Sequence, residues 1–161
     1  MRICDLTMAY NASSGGIRTY IDQKRRYLLE HTEHEHALII PGEDHASEHD
    51  GRAQTHWIKS PSSGYGDYRL MWRPKAIAAA LEAVQTDVIE LGTFFVCPWP
   101  AFYHRKQRRR DGQRCAVAGF FHTDIAKAYV HAPLHETLGR GFTDFDPVAD
   151  AGEQLAELLG H

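Results

Sequence analysis

Short apolar runs alternate with longer segments of helical periodicity along most of this chain. The apolar runs predict six strands, the last one weaker, at residues 2–6, 35–40, 53–58, 88–91, 115–121 and 144–148. The intervening segments predict helices at residues 17–31, 71–84, 99–110 and 149–159. This alternation is typical of βαβ units, so we expect an α/β fold in which a Rossmann-like parallel sheet carries helices on both faces.

Two segments interrupt this alternation and predict loops. Residues 41–52 are acidic and rich in histidine, and residues 60–68 are rich in serine, glycine and tyrosine. Neither segment has the apolar periodicity of a packed element. We therefore expect both to run along the surface.

The composition predicts one soluble domain over residues 1–161. With 43% apolar residues the chain can form one core, and its net charge of −3 does not favour nucleic-acid binding. It has no apolar run near the roughly 18 residues needed to span a bilayer. Its three cysteines are odd in number and far apart, which predicts buried, reduced thiols and a cytoplasmic protein.

Polar residues follow two predicted strands, and in an open α/β sheet ligands bind at such strand ends. After the first strand, Gly15 and Gly16 precede a helix, where bare amides and the helix dipole could hold a phosphate, with Arg18 adding charge. A plain strand-to-helix turn remains equally compatible, because no full dinucleotide or Walker motif is present. After residues 115–121, His122 and Asp124 could bind a sugar hydroxyl or move a proton, although a simple polar strand end is the commoner case. Glu90 is similarly ambiguous.

Other candidate sites are weaker. Eleven histidines suggest a metal site, but no metal-binding spacing is present, so we expect no metal. The basic run at residues 105–110 could contact anionic lipid at the inner membrane face or bind an anionic acceptor. A solvated helix end is favoured, because the run is short and lacks interleaved aromatic residues.

Taken in order, several motifs resemble the N-terminal, acceptor-side domain of a GT-B glycosyltransferase of family 4. The resembling segments are Met1-Arg2-Ile3, Ser13-Ser14-Gly15-Gly16-Ile17-Arg18-Thr19-Tyr20, Tyr68-Arg69-Leu70, Asp87-Val88-Ile89-Glu90, and Gly119-Phe120-Phe121-His122-Thr123-Asp124 with Tyr129-Val130. The order of these motifs is more specific than any one of them. The resemblance covers nearly the whole chain.

The resemblance implies a role for each matching residue. Gly15, Gly16 and Arg18 would bind the donor phosphates, and His122 would contact the donor sugar near the reacting carbon as the catalytic residue. Tyr68, Arg69 and Asp124 would contact the acceptor, which could be a glycan, a lipid or a small molecule. These last roles come from the resemblance alone.

The resemblance further implies retaining transfer of a hexosyl group from a nucleotide sugar, with no metal or other cofactor. We expect the C-terminal donor-binding domain to be absent from residues 1–161, and this chain alone to be inactive. One alternative is a stand-alone, non-catalytic Rossmann-like module that binds a phosphorylated ligand or a partner protein. Another, less favoured, is a histidine-dependent metal hydrolase.

Overall fold

The structure is a computed structural model that describes residues 1–12, 14–64 and 66–120. Met1–Phe120 forms one compact unit. The strand expected at residues 144–148 and the helix expected at residues 149–159 lie outside the described residues. None of the helices in the described part of the chain is long and apolar enough to cross a membrane.

Six strands and three helices follow one another in the described residues. They are β1 (Arg2–Leu6), α1 (Gly15–His31), β2 (Glu35–Gly42), β3 (Ala46–Asp50), β4 (Ala53–Lys59), α2 (Pro74–Val84), β5 (Val88–Leu91), α3 (Pro98–Arg110) and β6 (Ala116–Gly119). They form one sheet in the order β3-β4-β2-β1-β5-β6, parallel except for β3. The predicted Rossmann-like α/β fold is confirmed.

The prediction that residues 41–52 form only a loop was wrong. β2 continues to Gly42, and β3 pairs antiparallel with β4 after a turn at Gly51, whose φ of 55° lies in the left-handed region. All five residues of β3 are exposed, so the strand has no apolar alternation to reveal it. Its position at the sheet edge explains this polarity.

The sheet buries apolar side chains on both faces. One face packs against α2 and α3 in a cluster that includes Leu81 of α2 and Ile89 of β5. The other face packs against α1, where Ile21 contacts Leu38 and Ile40 of β2. Because successive strand residues point to opposite faces, a strand covered on both sides appears as a continuous apolar run in the sequence.

Two helices begin two or more residues away from their predicted starts. α2 begins at Pro74 rather than residue 71, since proline suits the first helical position. Met71 is instead a buried core residue just before the helix. α1 begins at Gly15, two residues earlier than predicted, so both glycines belong to its first turn.

Arg108 does not lie on a solvated helix end as the sequence suggested for the whole basic run. Its side chain is buried and donates to Gln85 Oε1 at 2.7 Å and to Asp87 Oδ1 at 3.1 Å. Asp87 Oδ2 in turn accepts from the backbone N–H of Arg2 at 2.8 Å. Arg108 therefore ties α3 to the segment that precedes β5 and, through Asp87, to the first residue of β1.

Replacing Leu81 with alanine should destabilise the fold strongly. The Leu81 side chain is fully buried, so Leu81→Ala should lower the free energy of unfolding by about 2–5 kcal/mol through lost apolar contacts and a residual cavity. Urea denaturation followed by circular dichroism measures the change. Leu29→Ala, at a half-buried position of α1, is the matched control and should cost less than half as much. Equal losses would contradict the packing described here.

Candidate functional site at the carboxyl edge of the sheet

The chain adds strands first on one side of β1 and later on its other side, so the strand order reverses between β1 and β5. From β1 it passes through α1 to β2 on one side, and from β4 it returns through α2 to β5 on the other side. In sheets of this kind the crevice outside the carboxyl ends of two such strands is the usual ligand site. The segments after Leu6 and Leu91 border this crevice.

Two threonines hold these strand ends together. The hydroxyl oxygens of Thr7 and Thr93 lie 3.3 Å apart, and Thr93 Oγ1 also accepts from the backbone N–H of Met8 at 2.9 Å. Thr7 Oγ1 accepts from the backbone N–H of Ala9 at 3.0 Å. The hydroxyl groups at the floor of the crevice thus already accept hydrogen bonds from backbone N–H groups, which fixes their positions.

The first turn of α1 is open at Gly15 and Gly16. Ser14 precedes the helix but makes no side-chain cap, because its hydroxyl donates to Asn11 Oδ1 at 2.7 Å. A Cβ added at either glycine would meet nothing within 4 Å. Because the first amides of a helix have no partner within it, this terminus presents N–H donors and the positive helix dipole to open space.

Arg18 lies one turn further along α1 with its guanidinium half-exposed. Its Nε is 3.6 Å from Asp22 Oδ2, and its guanidinium carbon lies 5.6 Å from the centre of the Tyr10 ring. The Tyr10 hydroxyl donates to Asp22 Oδ1 at 2.7 Å, and burial together with this bond raises the pKa of Tyr10. The Arg18 guanidinium thus lies near the Asp22 carboxylate and the Tyr10 ring, and its predicted role at the open turn stays a prediction.

Tyr68 and Arg69 belong to a loop that also folds at the carboxyl edge. Arg69 donates to the backbone oxygen of Ser60 at 3.0 Å and pairs with Glu43. Both partners directly follow parallel strands, and the backbone N–H of Met71 donates to the Met8 sulfur at 3.2 Å. The structure thus brings the loop to the predicted edge, but Arg69 is engaged by a carboxylate of this chain.

His122 and Asp124 lie outside the described residues, and the structure describes the approach to them as far as Phe120. The Phe120 ring stacks on Tyr20 of α1, with centroids 5.0 Å apart and planes at 13°. The strand end that leads to His122 therefore packs against the same helix that carries Gly15 and Gly16. In the sheet β5 lies between β1 and β6, so the Phe120–Tyr20 contact links the two strand ends through α1.

The sequence did not reveal a network of charges beneath α1. Lys24 Nζ lies 2.6 Å from Asp5 Oδ1 and 2.9 Å from Glu90 Oε1, and the Tyr20 hydroxyl donates to Glu90 Oε1 at 3.0 Å. Burial opposes the charge on Lys24, but Asp5 and Glu90 outweigh it and raise the pKa of Lys24. The available signal was Asp5 inside an apolar strand.

His36 extends the network and is held in one tautomer. Arg25 Nε donates to His36 Nδ1 at 2.8 Å, and since arginine has no acceptor, Nδ1 carries no proton. The proton is on Nε2, which lies 2.7 Å from Asp5 Oδ2 and donates to it. His36 is fully buried, and burial lowers its pKa despite the Asp5 bond.

Among the described residues, the histidines and cysteines form no comparable centre. No group of three or more histidine, cysteine, aspartate or glutamate side chains placed to hold a metal occurs among the described residues. His49 and His56 make an edge-to-face ring contact at 5.7 Å, and His45 Nδ1 accepts from the backbone N–H of Lys59 at 3.3 Å. All three cysteines are buried free thiols, and burial raises the pKa of Cys97 to about 12.

No family model, no curated protein and no solved structure matches this chain.

The His36 network should make stability depend on pH. Because the folded-state pKa of His36 is below its ordinary 6.5, the unfolded chain binds more protons in mild acid. The stabilisation is present above about pH 6.5 and is lost as the pH falls through the folded-state pKa, with a slope of at most about 1.4 kcal/mol per pH unit. Urea unfolding between neutral pH and mild acid measures it.

Glutamine at position 36 should reduce this pH dependence to the part that His56 and His104 contribute, because burial lowers the pKa of both. In His36→Gln an amide can donate to Asp5 and accept from Arg25 without titrating, so the slope should flatten. His31→Gln, at an exposed position of α1, is the matched control and should keep the slope of the unaltered protein. An unchanged slope in His36→Gln would show that another group carries it.

Proposed function

We propose that this chain is the N-terminal, acceptor-side domain of a retaining glycosyltransferase that transfers a hexosyl group from a nucleotide sugar. The observation that carries the proposal is the open first turn of α1 at Gly15 and Gly16, beside the β1–β5 crevice. A diphosphate is the part of such a donor that fits this turn, because it needs several N–H donors and positive charge. The assignment to a glycosyltransferase, as distinct from another phosphate-binding protein, rests on the order of motifs in the sequence.

Each predicted residue then has a role in the proposed transfer. Gly15 and Gly16 donate backbone N–H groups to the donor diphosphate, and Arg18 adds its charge without the help of a metal ion. His122 contacts the donor sugar as in the family that the sequence resembles. The stacking of Phe120 on Tyr20 supports this assignment, because it holds the preceding strand end against α1.

The acceptor side is assigned to the loop that carries Tyr68 and Arg69, together with Asp124. The loop lies at the same edge of the sheet as the α1 terminus, which supports its assignment. The pairing of Arg69 with Glu43 means that an acceptor would have to compete with that carboxylate. The acceptor class, whether glycan, lipid or small molecule, stays open.

The open turn alone predicts weak donor binding. A micromolar complex requires about 8 kcal/mol of binding free energy, whereas a helix terminus contributes about 0.3–1 kcal/mol to an anion. We therefore expect this chain to bind a nucleotide sugar with a dissociation constant no tighter than about millimolar. Tight donor binding would require further residues of the kind found in a second, donor-binding domain.

Placing a carboxylate in the open turn tests the site. Titration of the isotope-labelled protein with UDP-glucose, with GDP-mannose and with inorganic pyrophosphate should shift the amide resonances of Gly15 and Gly16 in the nuclear magnetic resonance spectrum. Gly16→Glu should weaken this binding at least fivefold through charge repulsion, about 1 kcal/mol. The open space around Gly16 should let the variant fold normally.

Lys75→Glu is the matched control, because it puts the same carboxylate in the first turn of α2. It should leave the affinity for the three probes unchanged. Equal binding by Gly16→Glu and the unaltered protein would contradict the phosphate site. If the two nucleotide sugars bind no more tightly than pyrophosphate, the nucleoside and the sugar add nothing to the affinity. That result would favour the phosphate-binding module over the transferase.

A further inference from the structure

The solvent face of α3 carries an unusual set of side chains. Its exposed residues recur at spacings of three and four, which places them on one side of the helix. These residues, here called the α3 stripe, are Trp99, Phe102, Tyr103, Lys106, Arg109 and Arg110. The opposite side of the helix is buried against the fold.

The first half of the α3 stripe is aromatic and largely open to solvent. Trp99, Phe102 and Tyr103 are 76%, 47% and 57% exposed. Single exposed apolar residues are ordinary, but a contiguous group of large rings marks a surface that binds something. Leaving this much aromatic surface in water forgoes the stabilisation that its burial would give, so a covering partner would be favoured.

Two further exposed aromatic residues lie at the same edge of the sheet as the beginning of α3. Trp72 and Phe95 are 50% and 65% exposed, and their rings meet edge to face with centroids 5.2 Å apart. Trp72 lies two residues before α2, and Phe95 lies between β5 and α3, so both are near the carboxyl edge. This edge therefore carries exposed aromatic residues outside α3 as well.

The second half of the α3 stripe is cationic. Lys106, Arg109 and Arg110 follow the aromatic residues on the same side of the helix, and Arg105 holds its guanidinium 5.0 Å from the centre of the Phe102 ring. The chain as a whole has a net charge of −3, so this positive surface is local. An anionic partner is the electrostatic complement of this half.

The separation of the two halves along the helix selects one kind of anionic partner. From Trp99 to Arg110 the stripe is about 16 Å long, with rings at one end and cations at the other. Aromatic rings favour the boundary between headgroups and acyl chains, and cations favour anionic headgroups. Surfaces that bind single-stranded nucleic acid instead line a basic groove with aromatic rings along its length.

We propose that the α3 stripe binds the surface of an anionic lipid bilayer. The aromatic end enters the headgroup region and the cationic end contacts the headgroups. This binding is independent of the proposed sugar transfer, because it requires neither donor nor acceptor. It also differs from the sequence prediction of a solvated helix end, since the aromatic residues just before the basic run share its face.

Vesicle sedimentation tests the electrostatic half of the proposal. The full chain should sediment with vesicles of phosphatidylcholine and phosphatidylglycerol, less with phosphatidylcholine alone, and less at high salt. Removing two charges in R109Q/R110Q should weaken binding about 30-fold, from roughly 1 kcal/mol per cation. R26Q/K59Q, which removes two exposed charges elsewhere, is the matched control and should bind like the unaltered protein.

Tryptophan fluorescence tests the aromatic half. Vesicles with phosphatidylglycerol should shift the emission to shorter wavelength, and W99F should remove most of that shift. W99A/F102A should weaken sedimentation, whereas Y27A, which removes an exposed ring from α1, should not. Circular dichroism confirms that each variant is folded.

Three results would overturn the proposal. One is an absence of sedimentation with the anionic vesicles. Another is an equal loss of binding in the R109Q/R110Q and R26Q/K59Q variants. The third is tighter binding to an oligothymidylate than to the vesicles, lost in R109Q/R110Q, which would assign the stripe to nucleic acid.

Discussion

The position of α1 on the sheet depends on one lysine between two carboxylates. Lys24 reaches the buried Asp5 on β1 and the partly buried Glu90 on β5, and it supplies both carboxylates on these adjacent central strands with a counter-charge. An ion pair of this kind adds little net stability, because desolvation offsets its attraction, but removing one partner is costly. It therefore acts mainly to fix the register of the helix. Gly15, nine residues earlier, is held about 14 Å away along the helix axis.

Arg25 and His36 extend the same constraint across the sheet. Arg25 donates to His36 on β2 and, at 3.1 Å, to the hydroxyl of Thr55 on β4, while His36 donates back to Asp5. With Lys24, two adjacent residues of α1 thus contact four neighbouring strands. A sliding motion of α1 would break several charged hydrogen bonds at once. The open turn at its N-terminus is consequently a fixed feature of the sheet edge.

The sequence predicted the parallel strands well because both faces of the sheet are covered, so each strand appears as an apolar run. It did not predict β3, whose five exposed residues lack any alternation. It also did not predict the ion pairs of Lys24, because Asp5 and Glu90 are 19 and 66 residues away from it in the chain. At the candidate site, the glycines before a helix could be recognised from the neighbouring residues in the sequence. The pairing of Arg69 with Glu43 joins residues 26 positions apart, so the sequence could not predict it.

The charge network also limits what the candidate site can offer a ligand. Lys24 and Arg25 are the cations of α1 nearest the central strands, and both are committed to Asp5, Glu90, His36 and their neighbours. Arg18 is closer to the open turn but lies 3.6 Å from Asp22, so a diphosphate would compete with that carboxylate. Removing Asp22 would release Arg18 and also leave the Tyr10 hydroxyl without its acceptor. The backbone amides of the first turn are thus the donors that a ligand can use without displacing a partner, which is why affinity at this edge must come from additional contacts.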